Sequence, residues 1–345
     1  MSLGEGSLIR TVQVILFLLG SAIFLFLWHE IGAGEVWQHI QTLGWTGMLV
    51  IVGLAILTHV ANTCGWRLTF GEQRRMVSLR RLFGVRLAGE AINYLTPTAL
   101  GGDVFKAILL KGTFPLTRGL ATVTIAKLSQ TLALGVFILG GVSIVGPFLT
   151  LSLRLRMGIA LSLVGGASLL GIFFWLQRRG LFSGSLVLLD RLRIRGKLLG
   201  RMQEPARLLD QNIAAFYRHH HKRFWGSVGW FFLGWSVGVI EIYLILIFFH
   251  LPATLFTALA IEVFSTLLNA VLFFIPGKLG VQEGGKVLIF TLLGLDPVHG
   301  FSLGIVRRIR ELIWVGIGLL ILAVYRTEAR PEETGIDGTP EGSPF

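Results

Sequence analysis

Cysteine occurs once in the 345-residue chain, at Cys64. A disulfide framework and a cysteine-ligated zinc site are excluded, and the lone thiol says nothing about redox compartment. Charge is scarce too: Asp, Glu, Lys and Arg make up 14% of the chain, against about 25% in an ordinary soluble domain. Acids are the rarer sign, 19 against 31 Lys and Arg, which leaves a net charge of +12. Several chemical signatures are also missing. There is no Walker-type phosphate loop and no paired-aspartate motif. His29-Glu30 opens as a metalloprotease motif would, but Ala33 stands where the second histidine belongs. His219, His220 and His221 are consecutive, and consecutive helical residues do not converge on one ion. No metal, no cofactor and no nucleotide hydrolysis are expected.

What is present is apolar. Hydrophobic residues reach 53% and the mean hydropathy is +0.72, so the chain is neither disordered nor a soluble globular domain. A hydrocarbon core needs about 20 apolar residues in helix. Runs at 11–28, 45–66, 120–145, 157–176, 224–249 and 301–325 qualify, which predicts an all-α polytopic membrane protein with about six full spans. The first run lacks a signal-peptide cleavage site and reads as a retained span. The basic residues lie beside these runs, so anionic or polar lipid head groups, not nucleic acid, are the expected partners.

Arg67, Arg74, Arg75, Arg80 and Arg81 crowd one connection, and 177–223 carries eleven Lys or Arg against Asp190, Glu204 and Asp210. Both should be cytoplasmic, as should both termini. Arg154 and Arg156 dissent, in a short loop that must be outside. Two apolar regions, 82–111 and 252–293, are broken at Pro97 and Pro276. Parity makes the first enter and leave from the inside and the second from the outside. The breaks match: Asn93-Tyr-Leu-Thr-Pro97-Thr-Ala-Leu-Gly101-Gly102-Asp103-Val-Phe-Lys106, and Asn269 followed by Pro276-Gly-Lys-Leu-Gly280-Val-Gln282-Glu283-Gly-Gly-Lys286. Two re-entrant hairpins in an inverted repeat are expected. The halves run over about 45–176 and 224–325, within one membrane domain over 1–326. An amphipathic cytoplasmic linker at 177–223 and a disordered tail at 327–345 complete the chain.

Broken helices at membrane depth line cavities, and a half-helix N-terminus favours anions. Asp103 and Glu283 fall in the first turns of the second arms, with Lys106 and Lys286 three residues on. They either cap their arms and pair locally or line a cavity for a lipid head group; four intramembrane charges favour the cavity. Gly101, Gly102 and Gly280 would admit the ligand to the backbone. Arg307 and Arg310, at the start of the last span, are expected to be buried and to hold an anionic group. The alternative is an interfacial basic cluster at a span that starts late. Glu311 can pair with Arg307 on one face and should fix one of the two arginines, and Arg308 should point elsewhere. Arg86–Glu90 is either a local i, i+4 pair or part of the cavity. Glu262 and Asn269 stand equally open, and Lys127 reads as a snorkelling residue.

Phe274-Ile-Pro-Gly-Lys-Leu-Gly-Val-Gln-Glu-Gly-Gly285, with Ser302-Leu-Gly-Ile-Val-Arg-Arg-Ile-Arg-Glu-Leu312, resembles the flippase-like membrane family typified by the transmembrane region of lysylphosphatidylglycerol synthases. Gly89-Glu-Ala-Ile-Asn-Tyr-Leu-Thr-Pro97 with Gly101-Gly-Asp-Val-Phe-Lys106 matches the other motif of that family, and the Gln-Glu-Gly-Gly and Arg-Arg-x-Arg-Glu forms are closest to the subgroup associated with hopanoid biosynthesis. The resemblance implies a bacterial inner-membrane protein of two inverted halves that translocates or handles lipids. It also leaves open an accessory role beside a lipid-biosynthesis enzyme. The soluble lysyltransferase domain has no counterpart here, so lysyl transfer is not implied.

Overall fold

The computed structural model describes residues 18, 21–22, 24–96, 101–148, 153–178, 197–272 and 280–328. The first expected span falls mostly outside this set, as do Pro97, Pro276, most of the tail and the linker residues 179–196. Among the described residues every regular element is a helix. In chain order they are α1 (Ala33–Leu68), α2 (Leu79–Leu95), α3 (Gly101–Leu109), α4 (Leu116–Val145), α5 (Leu153–Arg178), α6 (Lys197–His219), α7 (His221–Phe248), α8 (Leu255–Val271), α9 (Val281–Leu292) and α10 (Pro297–Glu328).

Among the described residues three helices are long and apolar enough to cross a membrane: Gly34–Leu68, Leu116–Phe148 and His221–Phe248. They contain the runs expected at 45–66, 120–145 and 224–249. Helix α1 kinks at Gly44, whose φ of 61° is left-handed, so the spanning part starts where the apolar run does. Helix α10 has the length, 32 residues, but its first half carries the Arg307–Glu311 cluster. The hairpin arms are short. Helices α2 and α8 have 17 residues each, α3 has 9 and α9 has 12. At 1.5 Å per residue even the longest reaches only about 25 Å, less than the roughly 30 Å hydrocarbon core. Helix α8 therefore does not cross unaided.

Local sequence sets these arms. The Ser78 hydroxyl accepts from the Arg81 N–H at 3.2 Å and the Thr254 hydroxyl from the Thr257 N–H at 3.0 Å, capping α2 and α8 alike. The packing is equally matched. Helices α1 and α7 lie against each other. Helix α4 packs on α3, α7 and α8; correspondingly, α10 packs on α9, α1 and α2. Every one of these contacts survives the exchange of α1–α4 for α7–α10.

Two apolar clusters bracket the bundle. One gathers Trp66, Phe70, Phe114, Phe224 and Phe231; the other gathers Ile51, Ile242, Ile261, Phe290 and Leu303. Outward faces stay apolar, for example Leu49, Leu57, Leu139 and Leu233, as lipid-facing helices require. Helix α6, from the linker read as amphipathic, has one apolar face turned inward. Its Leu209, Ile213 and Phe216 are buried in the first cluster, while Leu208 is exposed. Its apolar face covers the protein's own core instead of lying on lipid.

Candidate functional site

The charged side chains concentrate between the two apolar clusters. On the first hairpin, Lys106 Nζ lies 2.7 Å from Glu90 and 2.8 Å from Asp103. Lys127, on α4, reaches Asp103 at 3.3 Å, so it closes the cluster instead of snorkelling. Arg86 is buried, 3.9 Å from Glu90, and its guanidinium donates to His59 Nδ1 at 3.1 Å. The Asn93 side chain ties the two arms together: its Oδ1 accepts from the Gly102 N–H at 2.8 Å and its Nδ2 donates to Asp103 at 3.2 Å.

The second hairpin repeats one half of this scheme. Glu283 is fully buried, and Arg308 of α10 donates to it at 2.9 and 3.2 Å. In both places the long helix that follows offers a cation to the first-turn acid of the second arm, Lys127 of α4 to Asp103 and Arg308 of α10 to Glu283. The lysines diverge. Among the described residues Lys286 meets no carboxylate; its Nζ donates to the Gln282 carbonyl at 3.4 Å.

The arginines of α10 turn mainly to acids of other helices. Arg307 does not pair with Glu311. It is 2.7 Å from Glu262 and 3.3 Å from Glu241, and it donates to the Gly238 carbonyl at 3.2 Å. Arg310 pairs with Glu241, and Glu311 faces Arg308 at 3.7 Å and Arg310 at 3.8 Å. The physical reason is that a desolvated guanidinium turns to the carboxylates of neighbouring helices, which are buried deeper than an acid on its own surface turn. Arg308, expected to point away, joins the halves by also donating to Tyr94 Oη of α2 at 2.9 Å.

The glycines have a different purpose from ligand access. A Cβ on Gly102 would fall 1.8 Å from the Gly89 carbonyl oxygen, so glycine lets the two arms touch. Gly280 is buried with φ 75°, and its N–H donates to Glu283 Oε2 at 2.8 Å. The half-helix N-termini are thus partly satisfied by Asn93 and Glu283. Gly101 is exposed and Asn269 half-buried near the end of α8.

The open space lies elsewhere. A cavity of about 190 Å³ between α1, α2 and α10 is lined by His59, Glu90, Tyr94, Arg310, Glu311 and Trp314, among others. A smaller one of about 30 Å³ touches Arg86, Glu90, Asp103, Lys106 and Lys127, room for a water or two. Glu90 borders both. Sequence reasoning missed Glu241, His59 and Tyr94. Glu241 had a signal: it is the sole acid in the apolar run 224–249, and an intramembrane acid needs a partner.

Helices without strands, membrane-length apolar spans and a paired intramembrane charge cluster define a polytopic α-helical membrane protein with a polar interior. The chain belongs to the lysylphosphatidylglycerol synthase TM region family, which it matches over residues 12–319. A UPF0104 membrane protein of Methanothermobacter thermautotrophicus is 23% identical over 299 residues, 81% of this chain and 85% of the relative. No solved structure matches the chain.

Proposed function

We propose that this protein carries the polar head group of a membrane lipid through the cavity between α1, α2 and α10, as a flippase-like transporter and not an enzyme. The observation that carries the reading is the charged wall of that cavity, where Glu90 and Tyr94 of the first hairpin face Arg310 and Glu311 of α10; Arg308 ties Tyr94 in turn to Glu283 of the second hairpin. Lone charges at membrane depth cost about 2.5–3.5 kcal/mol each on insertion scales, so a cluster of them needs a compensating role. The head group, not the apolar tail, is what hydrocarbon excludes, and a polar cavity lowers that barrier. Arg310, His59 and Tyr94 suit a phosphate or hydroxyl head, and Glu90 and Glu311 suit an amine or hydroxyl. A phospholipid or a polar-headed hopanoid fits this chemistry.

The matched packing of α1–α4 and α7–α10 supports an inverted repeat, and the Arg-rich connections support cytoplasmic termini in a bacterial inner membrane. Rocking of one half against the other would open the cavity to each leaflet. Reconstitution into liposomes with fluorescent lipids of several head-group classes, quenched chemically from outside, tests this. Wild type should exchange selected classes. Thr58→Trp, which fills the cavity, and Tyr94→Phe, which removes the Arg308 hydrogen bond between α10 and α2, should suppress exchange while leaving the protein folded. Wild-type exchange no faster than protein-free liposomes rejects transport in favour of an accessory role beside a lipid-modifying enzyme.

A further inference from the structure

A second recess lies away from this cavity, at the end of the bundle where the Arg-rich connection enters α2. It is a groove of about 800 Å³ between the start of α2, the end of α3 and the end of α10. Its inner wall is apolar: Val85, Ile108, Leu109 and the ring of Tyr325. Tyr325 lies so close over α2 that a Cβ on Gly84 would stand 2.5 Å from its hydroxyl, which fixes one side of the groove. Its rim holds Arg80 and Arg81, both exposed. Neither side chain meets a carboxylate among the described residues. Along α2 and α3 the sequence offers no acid, since none lies between Glu72 and Glu90 and none follows Asp103 until Asp190; on α10, Glu328 follows Tyr325 by three residues. The nearby Glu72 is engaged by Arg223.

We propose that this groove binds one anionic glycerophospholipid, with its phosphate on Arg80 and Arg81 and an acyl chain against Val85, Ile108, Leu109 and Tyr325. Charge complementarity selects the head: two guanidiniums that meet no carboxylate among the described residues favour a net-anionic phosphodiester over a zwitterionic one, whose own ammonium offsets its phosphate. Basic pockets between helices at the membrane surface recognise anionic lipids in this way. The volume lies within the roughly 300–1,000 Å³ of ordinary ligand sites. The apolar wall explains why the ligand is a lipid and not a free phosphate, since phosphate alone leaves it unused. This site does not depend on transport through the central cavity; absence of lipid exchange would leave it standing.

The test is native mass spectrometry of the full chain in detergent, titrated with phosphatidylglycerol or phosphatidylcholine of identical chains. Wild type should retain one phosphatidylglycerol with a preference of about tenfold to thirtyfold, the size expected of two surface arginines on one phosphate. The double variant Arg80→Gln/Arg81→Gln should lose the preference. Arg75→Gln/Arg118→Gln removes the same charge elsewhere on the surface and should keep it. Ile108→Trp, which fills the groove and spares both arginines, should also abolish retention. The proposal is overturned by equal binding of the two lipids, or by equal losses in the two double variants, which would mean diffuse surface charge. Retention unaffected by Ile108→Trp, or displacement by millimolar inorganic phosphate, overturns it as well.

Discussion

Glu241 is the acid on which two arginines depend. It is 4% exposed, 3.3 Å from Arg307 and paired with Arg310. Glu241→Gln keeps the volume and removes the charge, so two buried guanidiniums lose a shared partner. Breaking a buried pair from one side costs about 3–5 kcal/mol. Arg307 retains Glu262 at 2.7 Å and Arg310 retains Glu311 at 3.8 Å, so the lower end of that range is expected. At roughly 2 °C per kcal/mol the apparent Tm in detergent should fall by about 6–8 °C. Arg310→Gln on the Glu241→Gln background should then cost less than it does alone, with a coupling of about 1–3 kcal/mol. The same cycle on Glu311 and Arg307, which do not touch, should give a smaller coupling. Simple addition for Glu241 and Arg310, or a larger coupling for Glu311 and Arg307, refutes the assignment.

Other outcomes follow from particular contacts. With Cys64 replaced, Thr113→Cys should be protected from an impermeant thiol reagent in intact cells and Pro297→Cys labelled, if the hairpins enter from opposite faces. Gly102→Ala should lower the apparent Tm far more than Gly101→Ala, because its Cβ would lie 1.8 Å from the Gly89 carbonyl while that of Gly101 has 3.3 Å to Thr96. Outside the membrane, the hydrogen bond from Arg223 holds the Glu72 carboxyl below its usual value of 4.5. That contribution is present above pH 4.5 and is lost as pH falls through the depressed value. Glu72→Gln should therefore flatten the acid limb of a stability–pH curve, slightly at this exposed site and less in high salt.

The all-helical class was legible in the sequence because hydropathy in long runs is a property of composition, and a bilayer admits few alternatives. The runs at 45–66, 120–145 and 224–249 became membrane-length helices for that reason. The short arms α2, α3 and α9 were legible as apolar stretches too short to span, and Asp103–Lys106 as a neighbouring turn on one helix face, now 2.8 Å apart. Partners across helices were not legible. Spacing along α10 suggested Arg307 with Glu311, yet Arg307 turned to Glu241 and Glu262 on α7 and α8. Helix periodicity reports which residues share a face. It does not report which helix that face meets or which acids lie deepest there. Gly102 reads the same in sequence whether it admits a ligand or a neighbouring helix; only the packed arms decide, by placing the Gly89 carbonyl where a side chain would have to go. The cavity beside His59, Tyr94 and Arg310 likewise belongs to the tertiary structure alone, since three helices distant in sequence must meet to enclose it.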